Sequence, residues 1–287
     1  MIVLNLTDST QKFVDYLRKT GRAHATILAY GKDIDQLTKS AIKQERKTVN
    51  EIKKEDIEKF LSQLSKQNYT LKSVSRKLNS IKTFFKFLKA NNFIEFNHTQ
   101  EIAHPKYKTK PPRILDKTEY RALRDACRQD ARTSAIVELF LQTGIRISEL
   151  AALSLTDIKN KELIIATQGK QEKRRIPLNK AAREALERYL KKRPKVQEKR
   201  VFITKTGRPF LIRNIRTVID RYFKVAGIAD AKVNDLRHTF IIHHLSNGVS
   251  LTTISKIVGH KRLSTTEKYL HLVNKEKTKQ AGKLGEL

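Results

Sequence analysis

Five short segments in the second half of the chain carry residue types suited to chemistry on a phosphodiester. In chain order they are Gly144–Leu150 with Arg146, Gly169-Lys170, Asp235–Phe240 with Arg237, Val258–His260, and Thr265–Tyr269. Arginine presents a planar fork of donors that matches phosphate oxygens, histidine and lysine can donate protons, and tyrosine can act as a nucleophile. Each segment alone is a weak signal, whereas the ordered set predicts a single site that handles a phosphate.

Motifs for other phosphate and metal chemistries are missing from the sequence. It has no Gly-x-x-x-x-Gly-Lys-Ser/Thr loop, no Cys-x-x-Cys pair and no His-Glu-x-x-His. His238, His243 and His244 could suggest a metal, but adjacent residues diverge on a helix and no cysteine or carboxylate completes the set. We therefore predict no metal site and no cofactor.

The charge of the chain points to a polyanionic partner. Sixty lysines and arginines stand against 29 acidic residues, which gives a formal charge of +31, and the basic excess extends over both halves. A basic tail on a neutral body is thereby excluded. Lysine-rich thermophile proteins are the alternative explanation, but they usually carry matching glutamate, which is absent here. The balance predicts nucleic-acid binding.

Length and composition indicate a two-domain protein of a reducing compartment. The 287 residues are 39% hydrophobic, and they contain no run of 18 apolar residues and no signal-peptide pattern at the start. Cys127 is the single cysteine and cannot pair within the chain. We expect a cytoplasmic protein without a membrane partner.

Residues 1–96 are predicted to form a helical domain, because apolar residues recur there at three- and four-residue spacing, most clearly from Leu71 to Leu88. The opposite side of that helix carries a polar stripe suited to a DNA major groove. The stripe consists of Lys72, Arg76, Asn79, Thr83 and Lys86. An ordinary solvated helix face has the same pattern, so both interpretations stay open.

A second domain is predicted at 114–287, after a basic linker at 97–113 that contains three prolines. Helical periodicity covers 118–142, 148–155, 180–192, 213–225, 235–247 and 252–258. Two strands, at 163–167 and 174–178, flank a polar turn with Gly169 and predict a β-hairpin. The expected fold class is mainly α with a small β-hairpin or sheet in the C-terminal domain.

At the five segments the chain resembles the tyrosine recombinases, the phage-integrase-like family whose catalytic set is Arg, Lys, His-x-x-Arg, His and Tyr in that order. The order matches, the nine-residue interval from His260 to Tyr269 is typical, and Lys170 lies in the expected hairpin. The resemblance covers essentially the whole chain, since 1–96 looks like the helical, SAM-like core-binding domain of the family. The chain has no room for the arm-binding module of many phage integrases, and its compactness is most like the Xer-type branch.

The resemblance implies a role for each site residue. Tyr269 would attack the phosphorus and form a 3′-phosphotyrosyl link, Arg146 and Arg237 would hold the non-bridging oxygens, and His260 would add a donor. Lys170 would protonate the leaving 5′ oxygen, although Lys173, Arg174 and Arg175 are rivals in the same hairpin. Taken singly, either arginine could be a structural ion-pair residue, His260 a satisfied buried histidine, and Tyr269 part of an apolar helix face.

Two positions depart from the family pattern. The His-x-x-Arg box reads Asn234-Asp235-Leu236-Arg237, and asparagine cannot shuttle a proton as histidine does. We expect activity that is slowed or shifted to higher pH. Gln171 replaces a glycine that often follows the lysine, which leaves the pose of Lys170 open.

The implied function is site-specific recombination of double-stranded DNA by a homotetramer that resolves chromosome or plasmid dimers. Integration of a small mobile genetic element would have the same outline. From other classes, a type IB topoisomerase and a catalytically inactive DNA-binding relative remain as alternatives. Residues 270–287 resemble a tail that docks on a neighbouring protomer in relatives, or form a frayed basic end.

Overall fold

The computed structural model describes residues 4–166 and 173–273, and it shows helices throughout with one small antiparallel sheet. The predicted fold class is confirmed. The chain divides into two units, Met1–Lys110 and Pro111–Leu287. Within the described residues no helix is both long and apolar enough to cross a membrane.

The described residues of unit 1 form four α-helices around an aromatic core. The helices are α1 (Leu6–Lys19), α2 (His24–Ile42), α3 (Lys54–Lys66) and α4 (Leu71–Ala90), with 3₁₀ turns at Val49–Glu51 and His98–Glu101. Thr70 starts α4, because its side chain accepts the backbone N–H of Ser73. Phe84 on the apolar face of α4 packs edge-on against Phe13 of α1, with ring centroids 5.2 Å apart. The apolar stripe of α4 thus faces the core, and its polar stripe faces away.

Unit 2 contains eight further helices among its described residues. They are α5 (Lys117–Ala126), α6 (Ala131–Thr143), α7 (Ile147–Ala152), α8 (Lys180–Lys192), α9 (Ile212–Val225), α10 (Val233–Ser246), α11 (Leu251–Val258) and α12 (Ser264–Glu267). The helical periodicity over 118–142 is divided between two separate helices, α5 and α6. Asp130 begins a new helix there because its side chain accepts the backbone N–H of Thr133.

A three-stranded antiparallel sheet follows α7, in the order β1 (Ile158–Lys159), β2 (Glu162–Ile165) and β3 (Arg174–Pro177). The hairpin strands β2 and β3 were predicted, and the short β1 was not. Ile165 pairs with Arg174, and Leu163 pairs with Ile176. Since alternate residues share a face, Arg174 lies on the same side of β3 as the buried Ile176. Residues 167–172, which include Lys170 and were predicted to form the turn, lie outside the described residues.

Helix α10 is the central element of unit 2, and it packs against α6, α9 and α11. Apolar side chains bury it on two sides, with Leu236 in one apolar cluster and Phe240 in another. Arg237 lies between these two residues in the sequence and is only 6% exposed. The fold therefore places a guanidinium in the interior of unit 2, where it needs polar partners.

Candidate active site

Gly144 brings the chain from α6 into the site. It has a left-handed φ of 59°, and a Cβ at this position would lie 2.5 Å from Cδ1 of Phe240 in α10. Only glycine therefore allows this turn to approach α10 so closely. Arg146 follows as the N-cap residue of α7, with an extended backbone.

A carboxylate holds Arg146 in place. The backbone N–H and Nη1 of Arg146 donate to Oε2 and Oε1 of Glu149, at 2.8 and 2.9 Å. Arg174 donates to the same two oxygens, from Nη2 at 2.6 Å and from Nη1 at 2.8 Å. Burial would raise the pKa of Glu149, but the hydrogen bonds from Arg174 and Arg146 outweigh it and lower the pKa below its ordinary value. Glu149 is therefore ionised and shared between two guanidinium groups.

Three arginines converge on the C-terminal end of α11. Nε of Arg174 donates to the carbonyl of Ile257 at 2.8 Å, and Nη2 of Arg237 donates to that of Val258 at 2.8 Å. Nη2 of Arg146 donates to the carbonyl of Gly259 at 2.5 Å. Carbonyls at a helix C-terminus carry partial negative charge and lack helical partners, so they orient these cations without neutralising them.

Gly259 lies in close contact with two of these arginines. Its φ is 68°, and a Cβ would lie 3.0 Å from Nη1 of Arg174 and 3.3 Å from Nη1 of Arg146. The guanidinium groups therefore pack directly against its backbone.

Arg237 is the most deeply buried cation of the group. Its Nη1 also donates to the carbonyl of Gly144, which ties α10 to the turn before Arg146. Burial, together with the positive charges of Arg146 and Arg174, lowers the pKa of Arg237 to about 10. The group remains protonated at neutral pH. Three guanidinium groups and one carboxylate leave a net positive site, which suits a phosphate.

His260 follows Gly259 directly. Its Nδ1 lies 2.8 Å from Oγ1 of Thr266, which is fully buried. Burial and the charges of Arg237 and Arg146 lower the pKa of His260 to about 4. The imidazole is therefore neutral at pH 7. When the hydroxyl of Thr266 donates to Nδ1, the ring proton resides on Nε2 and can be donated to a ligand.

Tyr269 lies beside both histidines of the site. Its ring stacks on His260 with centroids 6.4 Å apart and planes 15° from parallel, and its Oη lies 2.7 Å from Nδ1 of His238. The residue is 7% exposed, and burial raises the pKa of its hydroxyl, opposed by the charge of Arg237. The phenol is thus neutral and hydrogen-bonded.

The sequence-predicted residues are found in three situations. Arg146, Arg237, His260 and Tyr269 come together around the end of α11, through contacts with its carbonyls and with one another. Asn234 is exposed on the first turn of α10, one turn before His238. Lys170 lies outside the described residues, as do residues 274–287 of the predicted tail.

The predicted stripe on α4 faces solvent for most of its length. Lys72, Arg76, Asn79 and Lys86 are exposed and Thr83 is half-buried. Arg76 is bound by Asp33 of α2, which accepts from Nη1 and Nη2 at 2.6 and 2.9 Å. Burial would raise the pKa of Asp33, but hydrogen bonds from Arg76 and Lys77 outweigh it and lower the pKa. Arg76 is therefore held in one orientation on an otherwise solvated face.

Three residues of the site were missed from the sequence. Glu149 follows Arg146 by three residues at a helix start, a spacing typical of a capping box that could have revealed the pair. Arg174 was considered only as a rival of Lys170, although it shares a strand face with the buried Ile176, which predicts an inward side chain. His238 was considered only as a metal ligand, and no local pattern links it to Tyr269, 31 residues further along.

Comparisons with known proteins agree with this geometry. Residues 113–276 match the phage integrase family, and residues 10–92 match the phage integrase N-terminal SAM-like domain. Tyrosine recombinase XerC of Thermodesulfovibrio yellowstonii is 33% identical over 276 aligned residues, and the alignment covers 91% of this chain and 90% of that protein.

Two solved structures extend the comparison to three dimensions. The crystal structure of XerA recombinase superposes with a TM-score of 0.56 at 25% identity, covering 98% of this chain and all of that one. A lambda integrase tetramer bound to a Holliday junction gives a TM-score of 0.73 at 17% identity, over 91% of this chain and 78% of that one. At 17% identity the likeness shows the fold alone.

Proposed function

Because this chain belongs to the phage integrase family, the tyrosine recombinases, we propose that it cuts and rejoins double-stranded DNA at a specific site. The proposed intermediate is a 3′-phosphotyrosyl bond to Tyr269. The observation that carries this proposal is the position of Tyr269, a buried phenol stacked on His260 beside a cluster of three arginines.

The arginine cluster supports phosphate binding. Each guanidinium has five N–H groups. The contacts with the carbonyls and Glu149 use only some of them, so Arg146 and Arg237 keep N–H groups that can bind a ligand. These donors would hold the non-bridging oxygens, and Nε2 of His260 would supply another. Because the carbonyls of α11 orient the cluster before DNA arrives, its donors need little reorganisation as charge develops in the transition state.

The proposed reaction exchanges one phosphodiester for another. Oη of Tyr269 forms a bond to phosphorus while the bond to the 5′ oxygen breaks, and the leaving oxygen takes a proton that the resemblance assigns to Lys170. A free 5′ hydroxyl of another strand then attacks the phosphotyrosine and releases the enzyme. Bond energy is conserved throughout, so the strands can be rejoined without a nucleotide.

Strand exchange between two duplexes requires several active sites at once, and we propose a homotetramer. The tetramer that lambda integrase forms on a Holliday junction supports this assembly for a chain of the same fold. The exposed stripe on α4 and the basic excess of the chain would contact the DNA backbone and grooves. Similarity to XerC favours resolution of chromosome or plasmid dimers as the role, with the cytoplasm as its compartment.

The first experiment is a covalent trapping assay. A target site is selected from a random duplex library, and a nick is placed beside the crossover so that the cut strand cannot be rejoined. Wild-type protein is expected to give an SDS-resistant adduct that Tyr269→Phe does not give. Tight site-specific binding without an adduct would instead identify an inactive DNA-binding relative. Exchange between two sites then separates a recombinase from a type IB topoisomerase, which acts as a monomer.

A further inference from the structure

We propose that His238 is the base that takes the proton from Tyr269 as its oxygen attacks the phosphodiester. This inference rests on the proposed transesterification. The carrying observation is the 2.7 Å contact between Oη of Tyr269 and Nδ1 of His238, with ring centroids 5.7 Å apart. His238 touches the reacting atom itself.

The direction of this hydrogen bond follows from the surroundings of the two rings. Burial lowers the pKa of His238, and the adjacent Arg237 lowers it further against the opposing charge of Asp235. Among the described residues, Tyr269 and His260 are further titratable groups near it. The neutral imidazole can accept at Nδ1 when its proton is on Nε2, and the neutral phenol then donates to it.

Neither Asn234 nor His260 is placed to accept the proton of Tyr269. Asn234 occupies the place of the family's first histidine, but an amide has no basic nitrogen and this residue is exposed. Nδ1 of His260 is engaged by Thr266, whereas the hydrogen-bond partner of Oη of Tyr269 is Nδ1 of His238. His238 lies one helical turn after Asn234 on the same helix, where it can compensate for the lost histidine.

The proton transfer is coupled to bond formation. As the bond from Oη to phosphorus forms, the phenolic proton becomes acidic and moves to Nδ1 of His238, which gives an imidazolium. The negative phosphate held by the arginines offsets the repulsion between this cation and Arg237. On rejoining, the 5′ hydroxyl attacks phosphorus and passes its proton to Lys170. The bond from phosphorus to Oη breaks, and His238 returns its proton to Oη.

The test is the pH dependence of single-turnover cleavage by His238→Asn at saturating DNA. The Asn side chain places an amide oxygen near the position of Nδ1, so it can hold Tyr269 without acting as a base. We expect cleavage at pH 7 to fall by about 10²–10⁴-fold, the usual contribution of a general base. The remaining rate should rise about tenfold per pH unit up to pH 9, as the fraction of ionised phenol does. Wild-type protein should show a nearly flat rate over the same range.

His243→Asn is the matched control, because His243 is an exposed histidine of the same helix that contacts Asn247. It should cleave like the wild type. A fall in rate with an unchanged pH profile would overturn the proposal in favour of a positioning role. An unchanged or faster rate in His238→Asn would also overturn it, and a faster rate would identify the contact as a restraint on Tyr269.

A substrate with sulfur in place of the bridging 5′ oxygen separates the two ends of the reaction. A thiolate leaves without protonation, so this substrate should restore cleavage by Lys170→Ala and should not restore cleavage by His238→Asn. Restoration of the His238 variant would assign the residue to the leaving group and overturn the proposal. If wild-type protein forms no adduct on either substrate, the proposed function itself fails. If wild-type protein forms an adduct and His238→Asn cleaves at the full rate, only the proposed role of His238 is overturned.

Discussion

Arg174 and Glu149 form a two-point ion pair, in which both terminal guanidinium nitrogens bind both carboxylate oxygens at 2.8 and 2.6 Å. The side chains are 10% and 13% exposed, and the same carboxylate binds Arg146. Arg174 therefore fixes the group that fixes Arg146, so strand β3 contributes to the site through an arginine outside the predicted set.

Arg174→Met should destabilise unit 2 and slow cleavage. Removing one partner of a buried ion pair costs about 3 kcal/mol, which corresponds to a fall in Tm of roughly 6–12 °C for a domain of this size. Thermal unfolding and the rate of adduct formation measure the two effects. Arg175→Met is the control, since Arg175 is 74% exposed and pairs with Glu162 at the surface. Equal Tm values and rates for the two variants would show that the buried pair contributes nothing.

Gly259→Ala should disrupt the arginine cluster by a steric contact as well as by backbone strain. The Cβ of alanine would press on Arg174 and Arg146, and the φ of 68° adds about 1–2 kcal/mol of backbone strain for alanine. Gly248→Ala has a similar φ of 83° with open space around the Cβ, so it carries the strain alone. We expect both variants to lose stability in urea, Gly259→Ala by more than Gly248→Ala, and only Gly259→Ala to lose adduct formation. Retained cleavage in Gly259→Ala would contradict this account.

Asp33→Asn should destabilise unit 1 by about 3 kcal/mol, because Asp33 is buried and accepts from Arg76, Lys77 and Ser80. Its pKa is lowered from the ordinary 3.8, so the stabilisation is present above that pH and is lost as the pH falls below it. The difference from wild type in urea unfolding should be the same at pH 7 and pH 5, and smaller at pH 3. Asp35→Asn is the control, since Asp35 forms an exposed pair with Lys39 on the same helix. A difference in the free energy of unfolding that is larger at pH 3 than at pH 7 would contradict the lowered pKa of Asp33.

Lys72→Ala and Lys86→Ala should weaken DNA binding with little change in stability, because both side chains are exposed on α4. If each contacts a phosphate, the slope of log K against log salt should fall by about 1 for each variant. Lys59→Ala on α3 provides a control of equal charge change. Fluorescence anisotropy at several salt concentrations measures the slope, and three identical slopes would favour a merely solvated stripe.

The helices and strands that position the site could be predicted from local patterns, because the pattern of each lies within a short stretch of sequence. The strand pattern at 174–178 and the apolar run after Asn234 are of this kind. The break between α5 and α6 was missed because apolar periodicity continues across it, whereas the signal that ends the helix is the capping side chain of Asp130. A single polar residue decided that boundary.

The contacts that assemble the site could not be predicted in this way. Arg174 binds a carbonyl 83 residues further along, and His238 binds Tyr269 from another element. Such pairs depend on how helices and strands pack against one another. Hydrophobic periodicity and secondary-structure propensity do not specify that packing. The ordered motifs named Arg146, Arg237, His260 and Tyr269, and the packing of the helices brings Glu149 and His238 into contact with members of this set.

Asn234→His tests whether the two positions on α10 can supply the same proton acceptor. We expect it to raise the cleavage rate near pH 7, because a histidine there could accept the proton of Tyr269 that asparagine cannot. The gain should be larger in a His238→Asn background than in wild type, since one base already acts in wild type. Cleavage rates of the four proteins form a double-mutant cycle that measures this coupling. Equal gains in both backgrounds would mean independent roles, and an unchanged rate and pH profile in both would show that position 234 does not reach the reacting oxygen.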